Sequence, residues 1–260
     1  MFEEKKFSDL RNLLDFLYSL DEGFVFRGQS DSSWGLTSTL ERLLNGTENF
    51  AKIAETTTSD ILKSRIHHYF HRDEVPTSEL GWLSIAQHHG APTRLLDFTR
   101  FPLFALYFAS RHLRKANADF AIWAINFRSL NDDCESLLGT GDKIDKDPDA
   151  FFDGCESIKA DSPLGAWIGE PRKVNLRLER QGGTFLIPTH PSKTIEESLK
   201  ESFSRSSVSA FKICVSANLA YEIQHFLAKS GVTASRLFDG VDGLAQEISE
   251  DLNRIIHKPV

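Results

Sequence analysis

Residues 87–109 read QHHGAPTRLLDFTRFPLFALYFA, and no other stretch constrains the fold as tightly. A polar turn bearing a glycine and a proline, His88 to Thr93, runs into a short apolar strand that carries Arg94 and Asp97. An almost wholly apolar helix, Pro102 to Ala109, follows directly. Two histidines, an arginine, an aspartate and two threonines therefore sit where strand and helix meet at the edge of a core. Charged groups in such a place are costly to bury unless they are paired or used. The stretch has an upstream counterpart, FVFRGQ at 24–29, an apolar strand closed by one arginine.

The rest of the chain is organised around these two segments. Phe7, Leu10, Leu13, Leu14, Leu17 and Leu20 repeat at helical spacing and predict a first helix that stops at Asp21-Glu22-Gly23. Leu36–Leu44 predicts a helical turn. Residues 48–70 predict a longer helix with Phe50, Ile53, Ala54, Ile61, Leu62, Ile66 and Tyr69 on its apolar side. A Pro76-Thr77-Ser78 cap starts a helix ending at His88-His89-Gly90. Strands are predicted at Phe120–Phe127, Val174–Leu178, Thr184–Ile187 and Val208–Val215, and helices at Ile195–Phe203, Asn218–Lys229 and Leu237–Ile256. Residues 129–165 are acidic, rich in Gly, Asp and Ser, and weakly periodic, which predicts an ordered insertion or a mobile loop, expected to cover a pocket.

The expected architecture is one α+β domain over residues 1–260, a mixed or antiparallel central sheet flanked by helices. A helical part spans about 1–115 and a sheet-rich part about 116–260. With 260 residues the chain buries a full core. Its net charge of −7 argues against a broad basic field for nucleic acid, although Arg172, Lys173, Arg177 and Arg180 form a local basic cluster. The charged start, MFEEKKFSDL, predicts no signal peptide, and no apolar run is long enough to span a membrane. Three well-separated cysteines without a CxxC pair point to a reducing, cytoplasmic setting and away from structural zinc.

Several groups of residues have both a chemical and a structural reading. Arg27 offers a rigid fork of donors for phosphate or ribose oxygens, with Gly28 allowing close approach of a ligand, or it pairs with a carboxylate at the strand end. His88, His89, Thr93, Arg94 and Asp97 build a ligand pocket, or the histidines cap a helix while Arg94 and Asp97 form a salt bridge. Glu179 and Gln181 face a cleft, or Glu179–Thr184 is a charged hairpin. Asp239 and Asp242 open the final helix as cap and dipole partners. His67 and His71 share a helix face without a third ligand and are read as solvated.

FVFRGQ, the run Trp34…Leu36…Leu40-x-Arg42, AQHHGAPTRLLDFTRFPLFALYFA, Arg180-Gln181-Gly182-x-x-Phe185 and LFDGVDGLA resemble the bacterial FRG domain, over about residues 20–248. More distantly, the Phe26-Arg27-Gly28 strand is similar to the first NAD-binding motif of ADP-ribosyltransferases. Leu95–Thr99 followed by Ala105–Ala109 is similar to their second motif, a strand ending in Ser or Thr before a helix. Glu179 or Gln181, ahead of Thr184–Pro188, stands where their third motif has a glutamate.

The resemblance implies an ADP-ribosyltransferase-like fold and an NAD-consuming toxin or antiphage effector. NAD is its substrate, and its acceptor is RNA, DNA or protein. An antitoxin protein is an implied partner, and no membrane is. Arg27, Gly28, Gln29, Arg42, His89, Thr93, Arg94 and Thr99 form the implied binding set, and Glu179, Gln181, Asp97 and His88 the implied catalytic set. A glutamine cannot supply the negative charge that an oxocarbenium ion calls for, so Glu179, Asp97 or another carboxylate has to. A non-catalytic nucleotide- or peptide-binding module and an NAD hydrolase are the alternatives.

Overall fold

The computed structural model describes residues 2–71, 75–111, 118–141, 143–156 and 164–256. Seven strands form one mixed sheet: β1 (Glu3–Phe7), β2 (Phe24–Gln29), β3 (Leu96–Thr99), β4 (Phe120–Asn126), β5 (Ala166–Gly169), β6 (Gly183–Pro188) and β7 (Ala210–Val215). Their order across the sheet is β1-β7-β4-β2-β3-β6-β5. Only β1 and β7 pair in parallel, and every other pair is antiparallel. The expected α+β class with a mixed sheet is observed.

Local chemistry sets most helix ends. Asp9 caps α1 (Leu10–Ser19), which buries Leu10, Leu13 and Leu17. Ser38 caps α2 (Thr39–Leu44), and α3 spans Ala51–Arg65. Ser78 caps α4 (Glu79–His88), and α5 (Pro102–Ser110) opens on a proline. Asn126 caps α6 (Phe127–Leu138), which Gly139 ends in the left-handed region. Two short helices follow, α7 (Lys143–Lys146) and α8 (Pro148–Glu156). After α9 (Leu176–Arg180), a Thr194–Glu197 capping box starts α10 (Ile195–Arg205). The chain continues through α11 (Ala220–Lys229), α12 (Ala234–Leu237) and α13 (Gly240–Ile256).

Strand alternation divides the core. Phe24 and Phe26 of β2 and Phe120, Ile122 and Ala124 of β4 join α1, α5 and α11 on one face. Val25, Trp123 and Ile125 point to the other face, against Leu130 and Leu199 of α6 and α10. A third cluster over β5 and β6 packs Phe185 and Ile187 against Leu80 and Leu83 of α4 and Phe151 and Phe152 of α8.

Five expectations need correction. Residues 129–156 are not a loop: they belong to α6, α7 and α8, whose buried Cys134, Ile144, Phe151 and Phe152 anchor them to the core. The rest of the expected insertion, 157–163, lies outside the described residues. Val174–Leu178 is not a strand, because Asn175 accepts from the backbone N–H of Leu178 and starts α9. β1 replaces the expected start of the first helix, since β7 gives Glu3–Phe7 a ladder to join. With β2 and β3 it also makes the first 115 residues less helical than expected. Finally, α3 buries Ala51, Glu55 and Ser59 while Phe50, Ile53 and Ile61 are exposed. Hydrophobic spacing chose the wrong face there, because the buried side is built around a charge.

Candidate functional site

The cleft arises from a break in the sheet. β2 shares six registered residues with β4 but only the pair Phe26↔Thr99 with β3. Beyond that pair the two strands part, and a cleft of about 700 Å³ opens between them. Phe26 to Ser30 line one side and Asp97, Phe98 and Thr99 the other, with α4, α5 and α9 adding walls. A cleft of this size accepts a nucleotide-sized ligand.

Four arginines line it: Arg27, Arg42, Arg111 and Arg177. Asp97 is the one carboxylate that does so among the described residues. Arg27 reaches across the gap and donates from Nη1 to the backbone carbonyl of Asp97 at 2.7 Å. Its Nε is buried and meets no acceptor among the described residues. Burial pulls the Arg27 pKa below its ordinary value; the charge of Asp97 opposes the shift and that of Arg42 adds to it. Arg42 donates to the Thr37 carbonyl at 2.6 Å and Arg177 to the His88 carbonyl at 3.5 Å. These three guanidiniums thus bond backbone carbonyls, which leaves their charge available to an anion.

Asp97 accepts at Oδ2 from Gln87 Nε2 at 3.1 Å. Gln87 is itself aimed by Thr93, whose hydroxyl donates to its Oε1 at 2.6 Å. His88, at the end of α4, has its pKa lowered by burial first and then by the charges of His89 and Arg177. Its neutral imidazole can accept a proton near neutral pH.

Thr99 and Gln181 close the motif from the third strand. The Thr99 hydroxyl donates to the Gln181 carbonyl at 2.6 Å and accepts from the Phe101 backbone N–H at 3.1 Å. The Gln181 amide donates to the Leu237 carbonyl at 3.0 Å, tying the turn before β6 to the C-terminal region. Gln29 is a positioning residue: it accepts from Trp123 at 2.7 Å and donates to the Gly35 carbonyl at 3.0 Å. That bond holds the loop on which Trp34, 53% exposed, lines the cleft.

Arg27, Gly28, Gln29, Arg42, His88, Asp97, Thr99 and Gln181 therefore line one cleft. Four other residues do not line it. Thr93 is fully buried and supports Gln87 from behind. His89 caps α4 with its ring against Phe70 and His88. Glu179 is exposed because Arg177 and Gln181, four residues apart, share the cleft side of the α9 turn and leave it on the opposite side.

Arg94 is the largest correction. It is 2% exposed and pairs with Glu55 of α3 at 3.3 Å and with Glu156 of α8, under the Phe152 ring at 4.6 Å. No Arg94–Asp97 salt bridge forms, since both carboxylates on Arg94 come from other elements.

Gly28 also has a different reason from the expected one. A Cβ there would lie 1.9 Å from the Ala105 carbonyl oxygen and 2.6 Å from the Ala109 nitrogen. The glycine lets α5, rather than a ligand, sit directly on β2. Nor do the described residues of 129–156 line the cleft, so the expected lid is not seen there. Asp239 forms an ion pair with Arg180 at 2.8 Å.

Sequence reasoning missed Gln87, Arg111 and Phe108 as parts of the site, and Phe238 as the ring behind two of its arginines. Gln87 stands directly before His88-His89 and was accessible to reading. Phe238 lies against both Arg111, 5.1 Å from its ring, and Arg177, at 5.6 Å, a contact across distant segments that no local pattern signals.

Fold and site define an α+β protein with a cationic, nucleotide-sized cleft at a split in its sheet. Residues 22–118 match the model of the FRG domain family. The matched stretch supplies Arg27, Arg42, His88, Asp97 and Thr99, while Arg177 and Gln181 lie beyond it. The comparisons with curated proteins and with solved structures returned no match.

Proposed function

We propose that the cleft binds NAD and that the protein is an ADP-ribosyltransferase acting on a macromolecular acceptor. One observation carries this reading. β2, β3 and β6 lie side by side, so Arg27, the Asp97–Thr99 strand end and Gln181 meet around one gap. These are the positions at which the three motifs of ADP-ribosyltransferases resemble this chain.

In this reading Arg27 and Arg42 hold the pyrophosphate by charge-assisted hydrogen bonds. The bond between ribose and nicotinamide breaks, and nicotinamide leaves with the bonding pair. Asp97 faces the positive charge that develops on the sugar. A lone pair of the acceptor forms the new bond to the same carbon, and its proton passes to neutral His88. Gln181, with its amide on Leu237, shapes the site and supplies no charge. Glu179 has no part, because its side chain lies outside the cleft.

A role as a toxin or antiphage effector checked by an antitoxin rests on the family resemblance. Three free cysteines, Cys134, Cys155 and Cys214, fit a cytoplasmic setting. No helix among the described residues is long and apolar enough to cross a membrane.

The test incubates purified protein with NAD, alone and with cell lysate, and measures free nicotinamide and labelled macromolecules. Release with label transfer, both lost in Arg27→Ala, is the expected result. Release without transfer identifies an NAD hydrolase. Binding of ADP-ribose without release identifies a binding module, which the engagement of Asp97 by Gln87 would favour. Neither release nor binding overturns the proposal.

A further inference from the structure

The cleft holds more positive charge than one dinucleotide pyrophosphate needs, and that charge is divided between two places. Arg27 and Arg42 belong to β2 and α2, and each feels the other's charge. Arg111 and Arg177 come from the end of α5 and from α9, and both lie over the same Phe238 ring. Phe238 is pinned on either side: the Leu237 carbonyl accepts from Gln181, and Asp239 pairs with Arg180. Two guanidiniums stacked on one fixed ring lose little entropy when they take up a phosphate.

The surrounding basic residues do not form an equivalent patch. Arg172 is paired with Asp147 and Arg180 with Asp239. With a net charge of −7, the chain has no general attraction for polyanions either.

At the same end of β2 stands an aromatic surface. The last turn of α5, where Ala109 touches Gly28, brings Arg111 to the exit of β2. The loop with Trp34 leaves from that exit and is fastened by the Gln29–Gly35 bond. An exposed tryptophan lining the same cleft as organised arginines matches the chemistry of single-stranded nucleic acid, whose bases stack while its phosphates are paired. A duplex is too wide for a cleft of about 700 Å³.

Resting on the ADP-ribosyltransferase reading, we infer that Arg111 and Arg177, held on Phe238, bind a backbone phosphate of a single-stranded nucleic-acid acceptor, with Trp34 stacking one of its bases.

The experiment measures fluorescence anisotropy of 5′-labelled eight-nucleotide DNA and RNA strands and of a labelled phosphopeptide. ADP-ribose binding is followed in parallel by calorimetry. Arg177→Ala is expected to weaken oligonucleotide binding about tenfold and to flatten the salt dependence by about 0.7 in log–log slope. Arg177→Lys, which keeps the charge, is expected to retain the slope. Trp34→Ala is expected to cost about fivefold or more. All three variants should bind ADP-ribose within about twofold of the parent, whereas Arg27→Ala should lose ADP-ribose and keep the oligonucleotide.

No oligonucleotide binding at low salt, or binding unchanged in Arg177→Ala and Trp34→Ala, overturns the inference. So does a phosphopeptide that binds in place of the oligonucleotide, which would name a protein acceptor. Equal loss of both ligands in Arg177→Ala also overturns it, by showing a single shared phosphate site. If the oligonucleotide results hold while the parent binds no ADP-ribose, the nucleic-acid subsite stands and the NAD reading falls.

Discussion

Arg27 and Arg94 occupy similar places in the sequence, each beside an apolar strand, yet the fold treats them in opposite ways. Arg94 is sealed between Glu55 and Glu156 under an aromatic ring. Arg27 meets a backbone carbonyl and an open cleft, and its Nε is unmatched among the described residues. An arginine whose charge is cancelled by carboxylates fastens elements together. One that is oriented but not cancelled is prepared for a ligand.

The sharpest way to break this contrast is to remove each side chain. Arg94→Ala leaves Glu55 and Glu156 facing an emptied, largely dry site and should cost about 3–5 kcal/mol of unfolding free energy in urea titration. Arg27→Ala should change stability by less than about 1 kcal/mol, because no buried carboxylate depends on it. It should weaken ADP-ribose binding by about thirtyfold or more, the worth of a strong charge-assisted hydrogen bond. A reversed pattern would show that the two arginines had been assigned the wrong roles.

Next in size is Gly28→Ala. Its Cβ would collide with the backbone of α5, so a loss of about 2–3 kcal/mol is expected by thermal or chemical melting. A stable Gly28→Ala protein that fails only in ligand binding would restore the idea that this glycine serves the ligand.

A comparison of carboxylates is finer. Asp97→Asn should abolish nicotinamide release while ADP-ribose binding persists, and Glu179→Ala should leave both unchanged. Loss of activity in Glu179→Ala alone would move the catalytic charge outside the cleft.

The smallest effect concerns pH. His88 and His190 both have pKa values lowered by burial, so the unfolded chain binds their protons more readily than the folded one. Stability should therefore decline as pH falls through about 6.5, the ordinary histidine value, and be level above it. His88→Gln should reduce that slope, as read from urea midpoints at pH 5.5 and 7.5.

Much of this was legible from residues alone. The strand at FVFRGQ, the polar turn before α5 and the helices with clear caps all follow from local patterns. The grouping of Arg27, His88, Asp97 and Gln181 came from the family resemblance and not from any local pattern. The partners of Arg94 were not legible, because Glu55 lies on a helix whose exposed Phe50, Ile53 and Ile61 mimic an inward face. The strand expected at 174–178 failed because a cap at Asn175 outweighed a β-prone valine. The contact of Phe238 with two arginines was out of reach, since it depends on three segments meeting in space.

The pairing of β1 with β7 has a consequence for how the chain is made. Glu3–Phe7 is made long before the residues it pairs with, 211–215. The sheet edge thus stays incomplete until β7 has been made, and the long separation slows its closure. The waiting segment begins Glu-Glu-Lys-Lys, and charges of that density discourage premature pairing with other nascent chains.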